Sequence, residues 1–305
     1  MLDKIDIEIL KETANLHSIP ETAYNIRKNG ESVSRVSTDA VIIETNEKTK
    51  GLTIIVKPNT VNQSVHIPVI LTKAGMVDVV RNDFIIGENS SVVIVAGCGI
   101  HNNSNEKMEH DGIHTFKIGK GAKVRYIEKH IGLGKGKDKI LNPVTEIDID
   151  ELGEFEMETV QLSGVSYSDR KTFAKLGNKS KLKITEKILT EGNDKAITTF
   201  VADLVGEDSS VHIISRAVSK DNSVQQFNST LNGLNKCFGH TECDAIIVGN
   251  GKCYAKPEVN AMHPESSLIH EAAIGKIAGE QIQKLLTLGL NEEEAQNQIL
   301  KGFLK

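Results

Sequence analysis

The sequence predicts a mostly β protein in which short aliphatic strands are stacked on one another. From about Val41 to Gly251, short runs of valine, isoleucine and leucine alternate with polar residues and are separated by glycine, asparagine and aspartate. This texture is typical of consecutive strands and turns, and no helical periodicity interrupts it. Aromatic residues are scarce and tryptophan is absent, so the core of these strands must be aliphatic.

A local pattern recurs along this stretch at intervals of 24 to 34 residues. A glycine is followed by serine or alanine at the third place and by aliphatic residues, or once a tyrosine, at the fifth and seventh places. The copies begin at Gly87, Gly119, Gly177 and Gly206, with a degraded copy at Gly153. A tight turn followed by an alternating strand, repeated in this way, indicates a solenoid of stacked strands. An antiparallel sandwich or barrel explains the periodicity equally well.

The N-terminal part differs in character. Residues 3–16 carry an amphipathic helical pattern, and Pro20 marks its end. The polar, turn-rich segment that follows is predicted to be a loop leading into the first strand. The sequence therefore divides into an N-terminal helical and loop segment (1–40), a β core (41–273) and a C-terminal helical segment (274–305).

Two short helices are predicted in the C-terminal segment. The first ends at Gly289, which suits a C-terminal cap, and Asn291 caps the second. Either the helices cover the last strands of the core or they bind the surface of a partner. The apolar residues predicted to dock a partner are Ile282, Leu285, Leu286, Ile299 and Phe303.

Composition and charge exclude several classes of protein. The net charge of −5 is spread along the chain, so no basic face argues for nucleic acid. No apolar run approaches the ~20 residues that a membrane span needs. The N-terminus lacks the apolar segment of a secretory signal, and we expect a cytoplasmic protein. The four cysteines have no regular spacing, which predicts free thiols rather than a disulfide framework.

Cys98 is the first candidate for chemistry. It lies between Gly97 and Gly99 at the end of an apolar strand, which predicts a sterically open thiol of the kind that a sulfur nucleophile or acceptor needs. The alternative is a small buried residue at a tight turn. His101, His110 and His114 follow Cys98, but the spacing does not match a zinc finger. We interpret His110 and His114 as turn residues before the next strand.

A second candidate site combines Cys243 with His270 and Glu271. Cys243 opens an apolar strand, and a second short strand precedes His270 and Glu271. If the two strands are adjacent, they bring together a thiolate, an imidazole and a carboxylate, which suit a soft or borderline metal. Cys237 and Cys253 are interpreted as core or surface thiols.

Familiar catalytic motifs are absent from the sequence. It contains no glycine-rich phosphate loop, no nucleophile elbow and no HExxH motif. We therefore expect a protein without its own catalytic site, and any use of ATP would have to come from a partner.

The order of these motifs resembles that of a known family. Gly97-Cys98, Cys243-Asp244, His270-Glu271, Gly275-Lys276-Ile277 and the Gly289–Ala295 segment occur in the order seen in the SufB/SufD family of iron–sulfur cluster assembly proteins. The resemblance covers roughly residues 80–305 and is closer to SufB, because both cysteines and the His-Glu pair are kept. The segments 19–27 and 66–68 resemble the short SufB-like proteins of minimal Suf systems.

The resemblance implies a right-handed parallel β-helix that serves as a scaffold for a transient iron–sulfur cluster, expected to be [4Fe–4S], built from iron and persulfide sulfur. It implies that Cys98 accepts sulfur from a sulfur donor, and that Cys243, His270 and Glu271 hold the nascent cluster at a dimer interface. It also implies that the C-terminal helices dock a SufC-like ABC ATPase. Because one chain offers too few ligands for a stable site, we expect a two-fold homodimer in which Cys243, His270 and Glu271 of both chains face each other. A mixed dimer with a SufD-like chain is the alternative.

Two other classes of function remain open on the sequence. In the first, Cys243, His270 and Glu271 bind zinc in a β-helix metalloenzyme, with Glu271 as the general base. In the second, the chain is a structural adaptor whose C-terminal helices bind a partner.

Overall fold

The computed structural model describes residues 3–14, 21–136, 138–162 and 164–305. They form a β-solenoid of about eight turns with three helices. The helices are α1 (Lys4–Ala14), α2 (Gly279–Leu286) and α3 (Glu292–Phe303). The strands are β1 (Ala23–Lys28), β2 (Glu31–Val36), β3 (Val41–Thr45), β4 (Leu52–Val56), β5 (Gln63–Leu71), β6 (Val77–Ile86), β7 (Ser91–His101), β8 (Met108–Ile118), β9 (Lys123–Leu133), β10 (Lys139–Leu141), β11 (Val144–Ile149), β12 (Glu154–Gln161), β13 (Tyr167–Leu176), β14 (Lys181–Thr190), β15 (Lys195–Leu204), β16 (Ser209–Ser219), β17 (Val224–Gly233), β18 (Cys237–Ile247), β19 (Lys252–Ala261) and β20 (Ser266–Gly275).

The strands form two facing sheets. The first sheet has the order β2-β1-β5-β7-β9-β12-β14-β16-β18-β20. The second has the order β19-β17-β15-β13-β10-β8-β6-β4-β3, and β11, like β10, pairs with both β8 and β13. From β5 onward, neighbouring strands pair in parallel, as β16 and β18 do over eleven consecutive residue pairs. Parallel pairing confirms the predicted solenoid and rules out the antiparallel sandwich.

The repeated glycine pattern marks the turn from the second sheet to the first. In three copies the serine hydroxyl donates to the glycine carbonyl, over 2.6 Å from Ser90 to Gly87, 2.8 Å from Ser180 to Gly177 and 2.7 Å from Ser209 to Gly206. A side chain at Gly206 would lie 2.0 Å from the backbone carbon of Gly177 in the coil below. Glycine is therefore required where successive turns stack against each other.

The degraded copy is displaced by three residues from its predicted start. Register with the neighbouring coil places Asp150, rather than Gly153, opposite Gly119. Gly153 takes the serine position and donates its N–H to the Asp150 carbonyl at 3.0 Å. Counted from Asp150, Phe155 and Met157 then occupy the fifth and seventh places, and both are buried.

The core between the sheets is mainly aliphatic, as predicted, with one aromatic cluster. Phe84 and Phe116 stack with ring centroids 4.3 Å apart, and Phe116 meets Tyr126 and Phe155 edge-on. Each fully buried ring contributes about 1.5–3 kcal/mol by leaving water. These side chains point inward because alternate residues of a strand face opposite sides.

The N-terminal segment was wrongly predicted to be a loop after the first helix. Residues 23–36 form an antiparallel hairpin, β1 and β2, and β1 pairs in parallel with β5. Ala23, Tyr24 and Ile26 are buried, and positive φ at Asn29 and Gly30 makes the turn. The sequence gives little sign of this hairpin because β2 is short and polar, and only β1 contributes buried residues to the core. The solenoid therefore begins before residue 41.

Helix α1 lies on the outer face of the first sheet, over β5, β7 and β9. The Asp3 carboxylate caps it by accepting from the N–H groups of Ile5 and Asp6, at 2.9 and 3.0 Å. The buried carboxylate of Asp6 pairs with Lys28 at 2.6 Å. The predicted C-terminal end of this helix, with Leu16 and Pro20, lies outside the described residues.

The C-terminal helices have the predicted caps. Gly289 has φ +91°, and Asn291 and Glu294 form a reciprocal capping box with both contacts at 2.9 Å. Arg216 of the first sheet donates to the Phe303 carbonyl at 3.3 Å, which ties α3 to the solenoid. Among the helices in the described ranges, none is both long and apolar enough to cross a membrane.

Candidate functional site

Cys98 lies on the inner face of β7 and is buried, with 1% of its surface exposed. It packs among apolar side chains that include Val69, Ile100 and Leu141. The prediction of a sterically open thiol was therefore wrong. The flanking glycines serve helix α1 on the other face instead: a side chain at Gly99 would lie 2.2 Å from Ile9 of that helix.

A small internal cavity of about 10 Å³ adjoins Cys98. Its polar lining comes from His110, His114, Glu128 and His130. The prediction that His110 and His114 are turn residues was wrong. Both lie on β8 and point inward, and Gly112 between them leaves room for the cavity. In the part of the chain that the structure describes, no group of three or more His, Cys, Asp or Glu side chains is arranged to hold a metal ion.

A buried ion pair anchors this polar cluster. The Arg170 guanidinium pairs with the Glu128 carboxylate and lies 3.0 Å from Nδ1 of His130. Tyr126 donates to Glu128 at 2.9 Å. Burial opposes ionisation of Glu128, but Arg170 and the neighbouring His130 and His114 together outweigh it and hold the pKa of that carboxyl well below its usual range.

Two histidines of this cluster, His114 and His130, are held neutral. Burial lowers the pKa of His114 to about 4 and that of His130 to about 3. Burial also raises the pKa of Cys98, and the negative charges of Asp78 and Glu128 add to the effect. At neutral pH the enclosed thiol is therefore protonated.

We expect Cys98 to resist alkylation in the folded protein. Only a thiolate reacts, and Cys98 is both buried and protonated, so iodoacetamide should modify it at least about tenfold more slowly than the half-buried Cys253. Peptide mass spectrometry after timed labelling measures both rates in one sample. Equal rates would contradict the enclosed geometry, and denaturation should remove the difference.

We expect the free energy of unfolding to fall as the pH is lowered from about 6.5 to about 4. In this pH range His114 binds a proton in the unfolded chain but not in the folded chain, because its pKa is lower in the folded chain. For His114 alone the loss approaches about 3 kcal/mol. Urea titrations at several pH values measure it. In a His114→Gln variant the slope of the free energy of unfolding against pH should decrease by the equivalent of about one bound proton. An unchanged slope would contradict the assignment.

A column of inward-facing polar side chains runs from the Cys98 region toward Cys243. Strand register places Glu128, Thr159, Glu186, Ser215 and Cys243 at equivalent positions of β9, β12, β14, β16 and β18. All five are buried. With strands about 4.8 Å apart, the column spans roughly 20 Å.

The middle of the column carries a second buried carboxylate. Glu186 accepts from Ser215 at 2.7 Å and from Thr198 at 2.8 Å, and burial raises its pKa. The hydroxyl of Thr159 has no hydrogen-bond partner among the described residues. The interior thus contains a strip of buried polar side chains between the two cysteines.

Cys243 and His270 face the same inner side of the first sheet. In the β18–β20 register, His270 lies opposite Thr241 and Ala272 lies opposite Cys243, so the thiol and the imidazole are diagonal neighbours. Nδ1 of His270 is 2.6 Å from the Thr241 hydroxyl, which leaves Nε2 as the nitrogen available to a ligand. The predicted juxtaposition of these two residues is therefore present.

Glu271 lies on the opposite, outer face of β20. Its carboxylate is 3.4 Å from Nε2 of His240, and the His240 ring stacks on His212 at 4.9 Å. Neighbouring residues of a strand point to opposite faces, so His270 and Glu271 cannot both face inward. Within one chain, the three predicted ligands do not converge.

The sequence analysis did not identify Cys253 as part of the candidate site, but the structure places it close to Cys243. The two thiols face each other across the interior, from β18 in the first sheet to β19 in the second, and Cys253 packs against a cluster that includes Ala245, two residues from Cys243 on the same inner face. The interaction between the two thiols raises the pKa of Cys243 and lowers that of Cys253. Sequence reasoning also missed Glu128, Arg170 and Glu186, although their alternation with core residues was a usable signal.

The site lies at an uncovered end of the solenoid. Strands β19 and β20 are the last strands of the two sheets, and both are largely exposed. Each therefore presents an unpaired backbone edge to a further strand. His270 is half-buried there, whereas Cys243 is covered by its neighbours.

Comparison with known proteins gives a consistent result. Residues 69–303 match the model of the SUF system FeS cluster assembly SufBD core domain. An iron–sulfur cluster assembly SufBD family protein of Methanocaldococcus jannaschii is 28% identical over 274 residues, covering 87% of this chain and 85% of that protein. Relatives from Methanothermobacter thermautotrophicus and Archaeoglobus fulgidus, described in the same words, are 30% identical. Those alignments cover 73% and 74% of this chain but only 54% and 60% of the relatives.

Proposed function

Because this chain belongs to the SufBD family of the SUF system for iron–sulfur cluster assembly, we propose that it is the scaffold on which a cluster is built and then passed on. The cluster, expected to be [4Fe–4S], is the cargo of the protein and not a resident cofactor. The chain needs no catalytic site of its own for this role.

The observation that carries the proposal is the shared inner face of Cys243 and His270 at the uncovered end of the solenoid. Thiolates are the usual ligands of iron–sulfur clusters, and imidazole replaces thiolate in some of them. An imidazole holds iron less tightly than a thiolate, which suits a site that must give its cluster away.

Cys98 is proposed as the acceptor of sulfur from a sulfur donor. The polar column from Glu128 to Cys243 supports this role, because it offers buried polar groups from the Cys98 region toward Cys243. Since Cys98 is enclosed, loading it requires the solenoid or α1 to open locally, and we propose that the partner ATPase drives this movement.

A second scaffold protomer is proposed to cover β19 and β20. Their exposed edges suit a further strand, and one chain supplies too few ligands for a cluster. The partner is another copy of this chain or a SufD-like chain. Glu271, which faces outward in one chain, is a ligand in this proposal only if the assembled dimer brings its carboxylate to the cluster.

The C-terminal helices are proposed to dock a SufC-like ABC ATPase. Helix α2 buries none of its side chains, and Leu286 is 40% exposed. Ile282, Leu285, Ile299 and Phe303 are half-buried, so part of the predicted docking stripe is already used in packing. Exposed apolar residues at the end of a β domain suit a protein partner.

We expect removal of residues 289–305 to abolish co-purification of the ATPase while the solenoid stays folded. Helix α3 buries only Ala295 and Leu300, so its loss should cost little stability. Affinity purification of the co-expressed pair measures binding, and circular dichroism checks folding. Unaltered recovery of the ATPase would contradict docking through this helix.

Anaerobic reconstitution with ferrous iron and sulfide tests the scaffold itself. We expect a brown protein that transfers its cluster to an apo-ferredoxin. Binding of a single zinc ion with hydrolytic activity, and no cluster, would favour the metalloenzyme instead. The geometry does not favour that alternative, because Glu271 lies on the face opposite to Cys243 and His270 and cannot act there as general base within one chain.

A further inference from the structure

Cys243 and Cys253 are facing thiols on the inner faces of two strands at the proposed assembly site. Cys243 lies on β18 and Cys253 on β19, and the short turn between the two strands brings their inner faces together. Cys253 is half-buried and packs against an apolar cluster that includes Ala217 and Ala245. The pair therefore lies inside the last coil, beside its uncovered end.

The other described cysteines are too far away to take part. Cys237 is six residues before Cys243 on the same inner face of β18, roughly 20 Å along an extended strand. It adjoins Gly233 and Ser266 at the opposite end of the strand. Cys98 is separated from Cys243 by the whole polar column. Any reaction between two thiols of one chain thus involves Cys243 and Cys253.

We propose that Cys253 is a resolving thiol that releases sulfide from a sulfane sulfur carried by Cys243. The inference rests on the proposed function and adds one step to it, in which the sulfur accepted at Cys98 is passed to Cys243 as a persulfide. Sulfur in a persulfide must gain two electrons before it can enter a cluster as sulfide. Two thiols in contact can supply both electrons by forming one disulfide.

The reaction balances within the pair. The sulfur of Cys253 attacks Sγ of Cys243, the bond between Sγ and the outer sulfur breaks, and the new Sγ–Sγ bond forms. The outer sulfur leaves with the electron pair of the broken bond and takes up the Cys253 proton and its own proton as hydrogen sulfide. The two cysteines are oxidised and the sulfane sulfur is reduced. A two-electron thiol reductant then restores the dithiol.

The location of the pair suits this reaction. The two cysteines already face each other in the folded chain, and Cys253 packs near Ala245, two residues from Cys243, so the disulfide closes without a large rearrangement. Sulfide is released next to His270, where iron is proposed to bind. Sulfide would therefore be generated at the site that uses it.

The test loads reduced protein anaerobically with inorganic polysulfide, removes the excess and measures sulfide without added reductant. The wild-type chain should release about one sulfide per loaded chain and yield a disulfide between the Cys243 and Cys253 peptides. Cys253→Ser and Cys253→Ala should keep their sulfane sulfur until a thiol reductant is added. Cys237→Ser, the matched control, should behave as wild type. Equal release by the Cys253 variants, or no such disulfide in the wild type, would overturn the proposal.

A second measurement separates this inference from the scaffold function. With ready-made sulfide, Cys253→Ser should build a cluster as well as the wild type, whereas with polysulfide and no reductant it should not. Equal impairment in both conditions would overturn the resolving role, because a ligand role would then explain it. If the wild type builds no cluster from ready-made sulfide, the scaffold function fails, while sulfide release remains measurable on its own. Thermal melting followed by circular dichroism verifies that each variant is folded.

Discussion

Replacing Cys243 by serine is expected to reduce the iron and sulfide retained after anaerobic reconstitution to about one tenth of the wild-type amount or less. Cys243 is the only thiol on the inner face of β18 that is a diagonal neighbour of His270. A serine hydroxyl is a poor ligand for iron–sulfur species, so the cluster loses its strongest proposed protein ligand. The measurement is iron and acid-labile sulfide per chain, together with the visible charge-transfer absorption.

Cys237→Ser provides the matched control for this experiment. Cys237 lies on the same strand and the same inner face, is also buried, and does not contact Cys243. Similar stability of the two variants would show that a difference in cluster content is not a folding effect. If Cys243→Ser retained as much iron and sulfide as Cys237→Ser, the proposed assembly site would be wrong. His270→Ala should have an intermediate effect, because its imidazole is proposed as the more labile ligand.

Replacing Arg170 by methionine should lower the free energy of unfolding by about 3–5 kcal/mol. Arg170 and Glu128 are both almost completely buried, and removing the guanidinium leaves the Glu128 carboxylate without its counter-ion. The carboxylate must then be protonated or remain uncompensated in the interior, and either state costs stability. Urea unfolding at pH 7 measures the change.

Lys181→Met is the control for a surface ion pair. Lys181 pairs with Glu154 at 3.4 Å, but their side chains are 66% and 38% exposed, so the loss should not exceed about 1 kcal/mol. The double variant Arg170→Met with Glu128→Gln should recover part of the stability, because the unpaired charge is then gone. Equal losses in the Arg170 and Lys181 variants would contradict the buried ion pair.

Most of the solenoid could be predicted from the sequence because its signals are local. The glycine and serine of each repeat form one turn, and the alternating residues that follow form one strand. The degraded copy was placed three residues late because Asp150 replaces the glycine, and only the register with β9 reveals this. The hairpin of β1 and β2 was missed because most of its buried residues lie in a single six-residue strand.

The candidate site was predictable only in part. Alternation along a strand already separates His270 from Glu271, and it also marks Glu128 as inward-facing, so these features could have been derived from the sequence. The burial of Cys98 could not, because the glycines beside it indicate an open site until α1 is known to occupy the space. The meeting of Cys243 with Cys253 depends on how the turn joins two facing sheets.

The sequence by itself determined that this chain is a stack of short aliphatic strands ending in two capped helices, since turn chemistry and side-chain alternation act over a few residues. It also carried the ordered motifs of the SufBD family. Only the tertiary structure decided that Cys98 is enclosed, that Glu271 faces away from His270, and that Cys253 faces Cys243 across the interior. Those outcomes depend on the register between coils and on packing across the interior, where residues far apart in the chain share one face.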